Sequence, residues 1–165
     1  MVEPFEVEYA GFWRRFAATV IDSLFFAALT TLLLYLLYGG AYFDWLKTSE
    51  GLFTTYDGWD GFINNLLPLF ITLFFWLKFL GTPGKLLMGC QVLDADTLQP
   101  LTVGQALLRY VGYFVSILPL GLGFYWIAWD KRKQGFHDKI AKTVVVHEDE
   151  SRKLYKELDK DGLGQ

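Results

Sequence analysis

Few residues in this chain could do chemistry, and Arg15, Asp22 and Asp138 stand out among them. Arg15 and Asp22 lie seven residues apart inside an apolar run. Seven residues are about 700° of helical rotation, which returns both to one face about 10 Å apart along the axis. Thr19 falls between them on the same stripe. A carboxylate facing lipid at membrane depth costs at least about 2.5–3.5 kcal/mol, so Asp22 must face protein or water. One reading is a buried ion or proton site in which Arg15 compensates Asp22. The other is a polar stripe that only fixes helix packing. Asp138 follows a basic run in Gln134-Gly-Phe-His-Asp-Lys-Ile-Ala-Lys-Thr143. It reads as a surface turn or helix cap, or as an Arg15 partner whose fork would tie the C-terminal segment to the first helix. His137 beside it titrates near neutrality when unperturbed, but a single histidine with no second partner is more often structural.

Other chemistries find no footing. Gly81-Thr-Pro-Gly-Lys85 lacks the spacing of a phosphate loop, and Leu86 stands where its hydroxyl would be, so a tight turn is expected. No Ser–His–Asp, Cys–His or HExxH arrangement occurs. Cys90 is the one cysteine, which rules out an internal disulfide, and with two histidines it makes no zinc site. We therefore expect no enzyme, no metal and no cofactor. A net charge of −3 argues against nucleic acid as a partner, because such binders carry a basic stripe.

The elements that position these residues are membrane helices. Fully 53% of the chain is hydrophobic and 18% aromatic, above the usual range of soluble domains. The run Phe12–Tyr38 is long enough to cross about 30 Å of hydrocarbon, and Phe62–Leu80 suffices for a second span. The acidic start (Glu3, Glu6, Glu8), the length and the internal Asp22 all disfavour a cleaved signal peptide. Between the spans Lys47 stands alone against Asp44, Glu50, Asp57 and Asp60, whereas Arg14, Arg15, Lys78 and Lys85 flank the outer ends. The positive-inside rule then puts the N-terminus and the Gly81 loop in the cytoplasm. Trp13 marks one interface; Tyr38, Tyr42 and Trp45 mark the other.

A third apolar stretch, Leu107–Trp129, admits two readings. A simple third span would put Lys131, Arg132, Lys133, Lys139 and Lys142 outside, against the charge rule. Gly89–Thr97 and Ala141–Glu148 read as short strands, and paired strands must share one side of the membrane. The stretch would then re-enter from the cytoplasmic face as a helical hairpin, breaking at Pro119-Leu-Gly-Leu-Gly123. Gln105, Arg109, Gly112 with Tyr113, and Ser116 form a polar stripe on its first half. The tail 148–165 alternates charges and reads as a solvated cytoplasmic segment. The expected fold is thus all-α and membrane-integral: two clear spans, a third hydrophobic segment that re-enters or spans, and a small cytoplasmic two-strand element.

Gly11-Phe-Trp-Arg-Arg-Phe-Ala-Ala-Thr-Val-Ile-Asp22, Gly81-Thr-Pro-Gly-Lys85, Val92-Leu-Asp-Ala-Asp, Leu108-Arg109 and Gly135-Phe-His-Asp138-Lys-Ile-Ala-Lys-Thr-Val-Val-Val146 together resemble the RDD family of bacterial and archaeal membrane proteins. The resemblance covers about residues 8–147, leaving 148–165 as a charged tail. It implies that the family's one arginine and two aspartates are Arg15, Asp22 and Asp138, forming one constellation. From their own positions in the sequence, Thr19, Arg109 and His137 are candidate supporting residues. Lys142 stands where the family more often has glycine. A cell-membrane location is implied, and transport or cation/proton exchange is the activity proposed for some members.

Two functions are weighed. In the first, a transport or ion-coupling protein, Asp22 accepts a proton or small cation, Arg15 is its partner and Asp138 a cytoplasmic gate. Two or three spans rarely enclose a pathway, so this needs a homo-oligomer. In the second, an adaptor binds another membrane protein, the charges are structural ties, and Ala17, Ala18, Ala27 and Ala28 permit close helix contact.

Overall fold

The structure, a computed structural model, describes residues 8–49 and 54–149. The charged tail beyond residue 149 lies outside the described residues.

Helix α1 runs Phe12–Tyr38 and stops at Gly39, whose φ of 62° suits glycine. Its side chains are apolar on nearly every face, and Phe16, Leu24, Leu32 and Leu36 are exposed. A helix apolar all round belongs in a larger core or in hydrocarbon. Helix α2, Gly40–Thr48, follows directly. The second long helix spans Gly58–Phe79 and starts four residues before the apolar run does. The Asp57 carboxylate accepts from the Trp59 and Asp60 backbone N–H groups, a cap that lets helix form through Gly58 and Gly61. It comprises α3 (Gly58–Gly61), a π-helical turn (Phe62–Leu66) and α4 (Leu67–Phe79). Among the described residues, α1 and Gly58–Phe79 are the two helices long and apolar enough to cross a membrane.

Beyond α4, Thr82 leads into the short helix α5 (Pro83–Leu87), and β1 follows at Cys90–Asp94. Helix α6, Val103–Ile117, opens on a capping box between Thr102 and Gln105. It buries Ala106, Arg109, Gly112 and Ser116 and exposes Leu107, Val111, Phe114 and Leu118, so the polar stripe of the sequence faces inward. At Leu118–Gly121 the chain turns by 113° into Leu122–Ala128, made of α7 (Leu122–Tyr125) and a 3₁₀ turn. Helix α8 (Phe136–Ile140) and β2 (Thr143–His147) complete the fold.

Strands β1 and β2 pair antiparallel, from Cys90 opposite His147 to Asp94 opposite Thr143, and Tyr9 bridges to Val146 at the outer edge. The ends of the bent α6–α7 segment are therefore held together. Both sheet faces are buried. Val92 and Val145 pack with Trp76, Ala106 and Leu101, while Leu93, Val144 and Val146 pack with Ala95.

Candidate functional site

Asp138 sits in the first turn of α8, where its Oδ2 accepts the Gly135 backbone N–H at 2.9 Å. Arg15 of α1 donates Nη1 to the same oxygen at 2.6 Å, and Arg109 of α6 brings Nη1 to 2.5 Å from Oδ1. Arg109 Nη1 also donates to Thr143 Oγ1 at 2.5 Å, and Arg15 Nε donates to the Ala10 carbonyl at 2.9 Å. Asp138 and Arg109 are fully buried and Arg15 nearly so. One carboxylate thus fastens α1, α6, α8 and the sheet, as expected for Arg15–Asp138. It is a shared clasp, with a second arginine in place of a two-pronged fork. Burial alone would raise the Asp138 carboxyl, but Arg109 and then His137 and Arg15 outweigh it and hold it well below the usual carboxylate range.

His137 is pinned by packing. Its ring lies 4.5 Å from the Tyr113 ring and 5.1 Å from the Phe124 ring, and Ser116 Oγ is 3.2 Å from Nδ1. Its own backbone N–H donates to Ser116 Oγ at 3.1 Å. Gly112 makes this approach possible, since a Cβ there would lie 2.7 Å from His137 Cα. Burial pushes the imidazole down to about 3, with Asp138 opposing and both arginines reinforcing, so it is neutral at pH 7.

Asp22 does not join this cluster. The expectation that Arg15 compensates it is corrected by the geometry: Arg15 is committed to Asp138. Asp22 instead accepts from the Thr82 hydroxyl at 2.5 Å and from the Gly84 backbone N–H at 2.7 Å. The Gly81–Lys85 stretch is accordingly a docking turn pressed against α1. Neutral dipoles satisfy Asp22, and no guanidinium or ammonium lies within salt-bridge reach among the described residues.

The two halves meet at a cavity of about 600 Å³ between α1, α4, α6 and α7. Arg15, Thr19, Asp22, Arg109 and His137 line it, so five of the six residues singled out in sequence face one space. Asp138 lies behind the arginines. Sequence reasoning missed Lys85 and Trp76, which also line it. A lysine after a span reads as an interface residue and a tryptophan within one as apolar filling, so neither carried a signal. A third buried carboxylate, Asp60, was missed as a buried group. Asp60 accepts from Tyr42 Oη at 2.7 Å, the Tyr56 N–H at 2.7 Å and Asn64 Nδ2 at 2.5 Å, anchoring the aromatic cluster between the long helices.

The chain as a whole is similar to known sequences. The chain is 29% identical over 148 residues to the uncharacterised protein YxaI of Bacillus subtilis, covering 84% of this chain and 97% of that protein. It is 33% identical over 151 residues to the uncharacterised membrane protein YteJ of the same organism, covering 90% of this chain and 84% of that one. A shorter match, 34% over 63 residues, is to a proline-rich antigen of Mycobacterium leprae, covering 38% of this chain and 25% of the antigen. No solved structure matches. The model of the RDD family matches residues 9–142, from the bridge at Tyr9 to the residue before β2. The chain is a membrane protein of the RDD family.

Proposed function

We propose that this protein is a transport or ion-coupling protein of the cell membrane, with Asp22 as the coupling carboxylate. The carrying observation is the cavity beside α1, which Asp22 lines with no cation paired to it among the described residues. A carboxylate inside a membrane protein without a paired countercharge is where a proton or small cation is best accommodated. The Arg15–Asp138–Arg109 clasp holds α1, α6 and α8 as the frame of that cavity. In this account Asp138 is a structural lock and not a gate. The N-terminus, both strands and the basic run 131–133 face the cytoplasm, and the bent α6–α7 segment re-enters from that side. Two spans and a hairpin leave the cavity open on one flank, so the working unit is a homo-oligomer. The test is cation-driven proton movement in proteoliposomes, wild type against Asp22→Asn.

The adaptor reading has one observation of its own. Leu24, Ala27, Ala28 and Thr31 line a shallow groove on the outer face of α1, where small residues admit a neighbouring helix. Ala18 is not available for that contact, because it is buried against Gly84.

A further inference from the structure

Among the described residues, Lys85 is the one cation of the cavity without an anionic partner. It is 7% exposed, and among the described residues its ammonium has no hydrogen-bond acceptor and no carboxylate within ion-pair reach. Burying an ammonium this way is costly unless a negative group comes to it. Two further donors sit beside it. Trp76 Nε1 and Arg109 Nε are buried with no acceptor, and a buried donor left unpaired costs about 1–3 kcal/mol. The three side chains form one group: Lys85 Nζ lies 6.0 Å from the Trp76 ring centre on one hand, and Arg109 Cζ lies 5.2 Å from it on the other. All three residues line the cavity.

The charge balance agrees. Arg15, Lys85 and Arg109 face Asp22 and Asp138, with His137 neutral, which leaves one positive charge unmatched. The remaining walls are apolar, with Phe16, Phe26, Ile117 and Leu120 among them. Leu120 is 94% exposed and Phe16 53%, so the apolar side opens outward toward the surface that meets hydrocarbon. A volume of about 600 Å³ is that of a small-molecule site. A donor-rich floor and an oily, outward-opening wall select a ligand with an anionic head and an apolar body.

We propose that the cavity binds an anionic amphiphile of the phospholipid kind, its phosphate against Lys85, Trp76 and Arg109 and its chains along Phe16 and Leu120. Basic pockets between membrane helices on the cytoplasmic side are where acidic lipid heads dock. This goes beyond the ion-coupling reading of Asp22, rests on other residues of the cavity and does not depend on ion flux.

The test is thermal stability of the full chain in detergent during titration with dihexanoylphosphatidate, dihexanoylphosphatidylcholine and inorganic phosphate. Phosphatidate raises the melting temperature in a saturable way, while the zwitterionic lipid and inorganic phosphate at equal concentration do not. Lys85→Met weakens phosphatidate binding about tenfold or more, the loss expected for one charge-assisted hydrogen bond, and Trp76→Phe weakens it less. An equal shift with the zwitterionic lipid, an equal shift with inorganic phosphate, or undiminished binding by Lys85→Met would each overturn the proposal. Should that variant not fold, native mass spectrometry of the wild type with both lipids decides: preferential retention of phosphatidate upholds it and equal retention overturns it. Binding without proton flux leaves this proposal standing and removes the ion-coupling one; flux without binding does the reverse.

Discussion

Gly84 of α5 packs directly on the backbone of Ala18 in α1: a Cβ at position 84 would lie 2.1 Å from the Ala18 carbonyl oxygen. That contact brings the Gly84 N–H onto Asp22. Gly84→Ala must push α5 off α1 and break that hydrogen bond. Overpacking a tight contact costs about 1–3 kcal/mol, and more where only backbone can yield. A lowered melting temperature in detergent checks this. Gly104→Ala, where nothing lies within 4 Å, serves as a control with little change.

The clasp predicts an asymmetry between its members. Asp138→Asn leaves Arg15 and Arg109 buried with no countercharge, a loss of about 3–5 kcal/mol. Arg15→Lys keeps the charge and forfeits the Nε bond to Ala10, so it should cost clearly less. Melting curves of the two variants, with expression matched, give the comparison.

His137 sets a pH slope. Its folded value of about 3 lies below the unfolded value near 6.5, so between them the unfolded chain holds a proton that the folded chain lacks. Stability therefore falls as the pH drops below 6.5, at up to about 1.4 kcal/mol per unit for this one group. Asp138 adds nothing there. Its carboxyl is held below the usual range, so its contribution is present above the unfolded value and is lost only in strong acid. Melting temperatures between pH 6.5 and 5 should decline in the wild type and flatten in His137→Gln.

Lys142 adopts a φ of 50°, in the left-handed region that costs a non-glycine residue about 1–2 kcal/mol. Its carbonyl accepts the Ala95 N–H at the start of β2, which holds the backbone in that conformation. Lys142→Gly should raise stability by about 0.5–1 kcal/mol after the flexibility glycine adds to the unfolded chain. A lowered melting temperature would mean that the Lys142 side chain stabilises the fold.

Topology is open to labelling. In a Cys90→Ala background, Gly104→Cys before the bend and Lys131→Cys after it should both react only from the cytoplasmic face, and Asp44→Cys only from the opposite one. Labelling of positions 104 and 131 from opposite faces would make the bent segment a third span.

Much of this was legible from residue type and period. The two long helices announce themselves by length and apolarity, and Asp138 found Arg15 because both had to lie on the same side of the membrane. What stayed hidden depends on contacts between neutral groups. The partners of Asp22 are a threonine hydroxyl and a backbone N–H sixty and sixty-two residues away, and nothing in the residue types of Gly81–Lys85 marks them as acceptors' partners. Arg109 stood out on its polar stripe, but which carboxylate it meets is decided by the 113° bend that folds α8 back beneath α6. The helix start at Gly58 was masked by two glycines and recovered by the Asp57 cap.

The central claim is that Asp22 couples ion movement. Asparagine is nearly isosteric, its Oδ1 can keep the Gly84 N–H, and its amide can donate to Thr82, so Asp22→Asn should fold. The decisive measurement is cation-driven proton flux in proteoliposomes carrying equal amounts of wild type or Asp22→Asn. Flux in the wild type that disappears with the amide is the predicted result. Equal flux from both, or none from either folded protein, would contradict the account and leave the outer groove of α1 as the working surface.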